Sequence, residues 1–176
     1  SLVRLGSWPW DREIHARAIA NLLAAQPLSV GVDVLFTEES AGDNSMQAVL
    51  TGRDNVVLAC YIQELRITEG EIVGERPALP VYENPVGHVN VLPDQDGILR
   101  RAVGYITVQG QYCLPFPFQV LDKAGVDIDP ASREQLAQGF FRPKFSAEPG
   151  RVPVIPLWKI YENDFSPAEI KDKIVL

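Results

Sequence analysis

Ser29-Val-Gly-Val-Asp-Val-Leu-Phe36 is an almost unbroken run of apolar, mostly β-branched residues, and Val56-Val-Leu-Ala-Cys-Tyr-Ile62 is a second. Runs without polar alternation are what a parallel strand buried on both faces requires. Between them, residues 37–43 are polar, 44–50 have the spacing of a short helix and 51–55 carry turn residues. Strand, helix, strand is a βαβ unit, and its crossover is expected to be right-handed. Upstream, residues 11–26 place Ile14, Ala18 and Leu22 on one helical face, with Ile19 and Leu23 beside them. Asp11 stands where an N-cap belongs, Pro27 stops the helix, and Arg12, Glu13 and Arg17 fall on its wet side. This alternation predicts an α/β fold: a single domain with a mixed, mostly parallel central sheet and helices packed on its faces.

Beyond the second run the pattern breaks. Gly70, Gly74, Pro77, Pro80 and Pro85 punctuate residues 63–85, which read as an inserted loop or a weak hairpin around Glu69-Gly70. Residues 86–92 are strand-like, Pro93-Asp-Gln-Asp-Gly97 is a turn, and 98–108 read as a returning antiparallel strand. Helices are expected over 116–124 and over 130–138, the latter capped by Asp129, with short strands at 140–145 and 152–155. Residues 157–161 make a turn or two of amphipathic helix, Ser166 and Pro167 open another short helix, and 173–176 form the last strand.

At 176 residues the chain is one ordinary domain, large enough to bury a core without disulfides or metals. With 46% hydrophobic and 22% charged residues it is not a disordered chain. A net charge of −7 lacks the basic footprint of a nucleic-acid binder and is repelled by anionic lipid headgroups. No run approaches the roughly 20 apolar residues of a membrane span. The chain stops on Lys173-Ile-Val-Leu176, apolar and without a polar tail, which reads as a cut from a longer protein.

Phosphate-binding glycine loops, HExxH, paired CxxC and nucleophile elbows are all absent from the sequence, so no cofactor is expected. Asp94-Gln-Asp96-Gly97 resembles part of a calcium loop. Aligned on its glycine, however, it puts Leu92 and Val103 where acidic ligands are required, and a tight turn is the better reading. Cys60 and Cys113 read as buried thiols, with a disulfide between neighbouring strands as the alternative. His15 reads as a packing residue, and Trp8-Pro9-Trp10 as a lid on the core or an exposed patch that binds another protein. Asp33 is the most informative residue. A carboxylate inside an apolar strand must be paired, with Arg12, Arg100 or Arg101 as candidate partners, or serve a ligand at the strand's carboxyl end. The ligand-binding candidates are therefore Asp33, Trp10, Arg12, His15, Arg100 and Arg101. An enzyme using Asp33 and Asp96 as acid and base is the alternative.

Several of these residues fall into one series. Trp8-Pro9-Trp10-x-Arg12-x-x-His15-Ala16 precedes Gly31-Val-Asp33-Val-Leu-Phe36 with Glu38 behind it. Asn55-Val-Val-Leu-Ala59 follows, then Gly87-His-Val-Asn90, Asp94-x-Asp96-Gly97-x-x-Arg100-Arg101 and the closing Ile170-Lys-Asp-Lys173-Ile-Val-Leu176. In this order they resemble the type-two CHASE domains, the cyclase/histidine-kinase-associated sensory extracellular domains. The resemblance implies a sensor without catalytic activity, lying on the extracytoplasmic (periplasmic) side of a bacterial cell membrane between flanking spans. It further implies an unidentified small-molecule or environmental signal, and the acidic charge already argues against a nucleic-acid partner. The cytoplasmic output would be a nucleotide cyclase, histidine kinase, diguanylate cyclase or Ser/Thr kinase, and receptors of this kind commonly pair as homodimers.

Overall fold

The computed structural model describes residues 1–143 and 151–176. The first elements are α1 (Leu2–Leu5) and α2 (Arg12–Ala24). Asp11 caps α2 by accepting a hydrogen bond from the Glu13 amide at 2.9 Å. Next come β1 (Ser29–Val32), α3 (Asp43–Leu50) and β2 (Val56–Gln63), the expected strand–helix–strand unit. Its strands are parallel, with Val30 opposite Val56 and Val32 opposite Leu58.

The chain continues through β3 (Arg66–Thr68), β4 (Glu71–Gly74), β5 (Arg76–Ala78), β6 (Val86–His88), β7 (Ala102–Val103), β8 (Ile106–Val108) and β9 (Gln111–Cys113). It closes with α4 (Phe116–Lys123), α5 (Pro130–Ala137), β10 (Phe140–Phe141), α6 (Leu157–Glu162), a 3₁₀ turn (Pro167–Glu169) and β11 (Ile174–Val175).

The central sheet is mostly parallel. β1 pairs with β11 and β2, and β2 pairs with β6, all in parallel, while β5 joins the far end of β2 antiparallel. Alternate residues of β2 serve opposite faces. Val56 and Leu58 face a core built with Ile19 and Leu22 of α2, Met46 and Leu50 of α3, and Ile160 of α6. Val57 and Ala59 face Phe116 and Val120 of α4. Close approach of α4 depends on glycine: a Cβ at Gly87 would lie 2.5 Å from Phe116 Cα.

A second sheet, in the order β3-β4-β8-β9, packs Ile72 and Ile106 against Ile62 from the end of β2 and Val103 from β7. β7 in turn pairs with β10. Here the structure departs from the sequence reading. Of the two readings of residues 63–85 the hairpin holds, turning at Glu69-Gly70, but the segment also supplies β5 to the central sheet, which was not expected. Residues 98–108 are not one antiparallel strand: β7 and β8 are separate, and β8 runs parallel to β4. Gly104 divides them because Leu136 O crowds it, 2.1 Å from where a Cβ would stand. Residues 86–92 are extended only to His88, and 152–155 are not a strand. The strand expected over 140–145 forms at Phe140–Phe141, and its end lies outside the described residues.

Candidate functional site

The start of α2, the loop after β1 and the start of α3 meet in one cluster. Arg12 Nε donates to Asp43 Oδ1 (3.2 Å), and its Nη2 donates to the Glu38 carbonyl (3.1 Å). The Arg12 guanidinium lies 4.4 Å from the centre of the Phe36 ring. Asp43 accepts from the Tyr82 hydroxyl and from the Ser40 amide (2.7 Å). The Tyr82 hydrogen bond, then the Ser40 amide and Arg12, hold the Asp43 carboxyl below its ordinary range. Burial, with Asp43 beside it, raises the Tyr82 phenol. Aromatic rings extend this core outward. Phe36 contacts Tyr82 (5.9 Å between centres) and His15 (5.4 Å), His15 contacts Trp8 (5.8 Å) and Trp10 (6.2 Å), and the two indoles meet edge-on at 5.2 Å. Burial, and then Arg12, lower the His15 pKa, so the imidazole is neutral at pH 7. The row of rings thus runs from buried Tyr82 to Trp8, which is 52% exposed.

A second group is exposed. In the 93–101 turn, Arg100 donates to Asp94 (3.2 Å) and with both nitrogens to Asp96 (2.9 and 2.8 Å), and Arg101 donates to Asp94 (2.7 Å). These arginines hold both carboxyls below the ordinary range. The Asp96 side chain also accepts from the Ile98 amide, as a tight turn requires.

A third group is buried. His88 Nε2 is 2.7 Å from Gly104 O and must donate there, which leaves Nδ1 as the bare nitrogen with no hydrogen-bond partner among the described residues. Burial lowers the His88 pKa to about 4. Cys60, its register partner on β2, and Cys113 are both free thiols. Among the described residues no three side chains are grouped to hold a metal ion.

A family model described as the CHASE2 domain matches residues 1–176, the whole chain. The chain belongs to the CHASE2 domain family. CHASE2 domains are sensory extracellular domains of receptors such as cyclases and histidine kinases, and they are not catalytic. No curated protein and no solved structure matches the chain. No helix among the described residues is long and apolar enough to cross a membrane.

Within this CHASE2 domain the sequence candidates separate. Trp10, Arg12 and His15 come together, whereas Arg100 and Arg101 belong to the exposed turn. The expectation that Asp33 is buried in a strand and paired with Arg12, Arg100 or Arg101 is corrected. β1 ends at Val32, and Asp33 is exposed at its carboxyl end with no hydrogen bond or ion pair among the described residues. The arginines pair elsewhere, Arg12 with Asp43, Arg100 with Asp94 and Asp96, and Arg101 with Asp94. Arg12 is not on the wet side either, its side chain being 14% exposed. Phe36, Asp43 and Tyr82 were not singled out. Asp43 carried a signal, as an acid closing a polar loop just before a helix. Tyr82 carried none among the prolines around it.

Proposed function

We propose that this CHASE2 domain is the extracytoplasmic signal-input domain of a bacterial transmembrane receptor, joined through flanking spans to a cytoplasmic cyclase or kinase. The observation that carries the proposal is the cluster of Trp8, Trp10, Arg12, His15, Phe36, Asp43 and Tyr82. It ties three chain segments together and opens to solvent at its indoles. The cluster has aromatic surface and a satisfied ion pair but no nucleophile, which suits recognition rather than chemistry. A small molecule presenting an apolar face to Trp8 and Trp10 changes how α2 sits on the loop after β1. Asp33, uncommitted at the same end of β1, belongs to the proposed surface. Such a ligand acts only through differential affinity for two arrangements of these segments, and the spans relay the population shift.

The full-length parent tests both parts. A window of about 19 residues along its sequence should find apolar spans on both sides of 1–176, and water-soluble flanks overturn the receptor reading. In membranes carrying that parent, Arg12→Gln should change the basal output while the domain stays folded. Unchanged output from a folded variant removes the cluster from signalling.

A further inference from the structure

Cys60 on β2 and Cys113 at the end of β9 are 53 positions apart in sequence, yet their sulfurs lie 3.9 Å from each other. β6 carries the approach. On one side His88 is the register partner of Cys60, and on the other its amide donates to Leu114 O at 2.9 Å, which draws the end of β9 across β6. Cys60 is buried and Cys113 is half-buried on the edge strand of the second sheet. They are the chain's only two cysteines.

We propose that Cys60 and Cys113 are a disulfide site, closed by thiol–disulfide exchange with a disulfide oxidant of the extracytoplasmic compartment, and that the bond staples the central sheet to the second sheet. Closure in the cell rests on the extracytoplasmic placement proposed above; the geometry of the site does not. Cys113 is the first nucleophile: it is the more exposed, and hydrogen bonding from the Cys60 thiol and the His88 amide lowers its pKa. Its sulfur, deprotonated to solvent, attacks one sulfur of the oxidant and expels the other as a thiolate. Cys60 then loses its proton, attacks Cys113 Sγ and expels the second thiolate. Two electrons and two protons leave the cysteine pair, and the oxidant becomes two thiols.

The test starts from the reduced, purified 176-residue chain. It is treated with glutathione disulfide, then alkylated in denaturant and weighed. Both thiols should disappear together in monomeric chain, with loss of the mass of two hydrogen atoms. The melting midpoint should rise by on the order of 10 °C, because the bond closes a long loop. In Cys113→Ala the midpoint should not respond to the oxidant. The thiol count of the unaltered chain decides the matter even if that variant fails to fold. Persistent free thiols, a disulfide formed only between two chains, or a lowered midpoint on closure overturns the site. Acid-quenched cells expressing the full-length parent, alkylated in the same way, should show the pair closed. A pair that closes in the purified chain but is open in those cells overturns the extracytoplasmic placement and leaves the site standing.

Discussion

β2 runs through two environments. From Val56 to Cys60 every side chain is fully buried, because α2, α3 and α6 cover one face of the sheet and α4 the other. At Ile62 the strand enters a region where most strands are three or four residues long. Polar groups hold the chain at that junction. The Asn90 carboxamide stands in for a strand, accepting from the Ile62 amide (2.9 Å) and donating to the Ile62 carbonyl (2.7 Å). His88 spans to Gly104 O, and the Gly104 amide donates to Gly139 O at 2.8 Å. The first region answers to volume, since its stabilisation is apolar area removed from water. The second answers to hydrogen bonding, since its strands are too short to satisfy their own ends.

That division is open to direct attack. The largest effect belongs to Leu58→Ala, which empties space between fixed helices and should cost about 4 kcal/mol in urea unfolding. A loss under about 1 kcal/mol would mean that the helices collapse onto the gap and that the central sheet is not close-packed. Asn90→Ala removes little volume but leaves the buried amide and carbonyl of Ile62 without partners. It should cost about 3 kcal/mol by the same measurement. If Asn90→Leu, which restores bulk without hydrogen bonds, recovers that stability, the junction is an apolar one and the distinction fails.

The same division decides what could be read from the sequence. The two buried strands were legible because burial on both faces leaves continuous apolar runs, and α2 because Asp11 and Pro27 mark its ends. Of the second sheet, only the β3–β4 hairpin was within the sequence reading, and its pairing with β8 was not. Period-two alternation needs four to eight residues to register, and β3, β8 and β9 are three residues each. The paired carboxylate of the site was misplaced for a related reason. The run from Ser29 to Phe36 looks like one strand, but only Ser29–Val32 pairs. Asp33 and Leu35 are exposed while Phe36 turns back into the core. Arg12 was assigned to water by its helical position. In the first turn of α2, however, it faces the loop from β1, where Asp43 waits, a long-range contact that local pattern does not report.

Acid should weaken the fold through its buried imidazoles, His88 at the junction first among them. In the unfolded chain His88 takes a proton near its ordinary value of 6.5, whereas in the folded chain burial keeps it neutral down to about 4. Between those values the unfolded state binds more protons, so stability falls as pH falls. His88 contributes no further loss below the folded value. The full effect is at most roughly 3 kcal/mol, with buried His15 adding in the same direction. Urea midpoints from pH 7 to pH 4 should fall less steeply in His88→Gln than in the unaltered chain, and equal slopes would exclude His88 as the source.

The smallest effect concerns the turn that the sequence marked most clearly. Arg100 pairs with Asp94 and Asp96, yet Arg100 and Asp96 stand in water, Asp94 is half-buried, and the turn is already closed by backbone bonds, Asp94 to Ile98 and Gly97 to Asp94. Solvent and salt screen such charges, and a free side chain gives up conformational freedom to make them. Arg100→Gln should therefore leave the urea midpoint unmoved within error, at low salt and at high. A clear loss that vanishes in high salt would show that this network helps fasten β7 and the second sheet, and that the junction depends on charge as well as on Asn90 and His88. An unchanged midpoint leaves the Arg100 side chain, with its two ion pairs, without a structural task. In a sensory domain, such an exposed and chemically distinctive turn is where an effect on receptor output should then be sought.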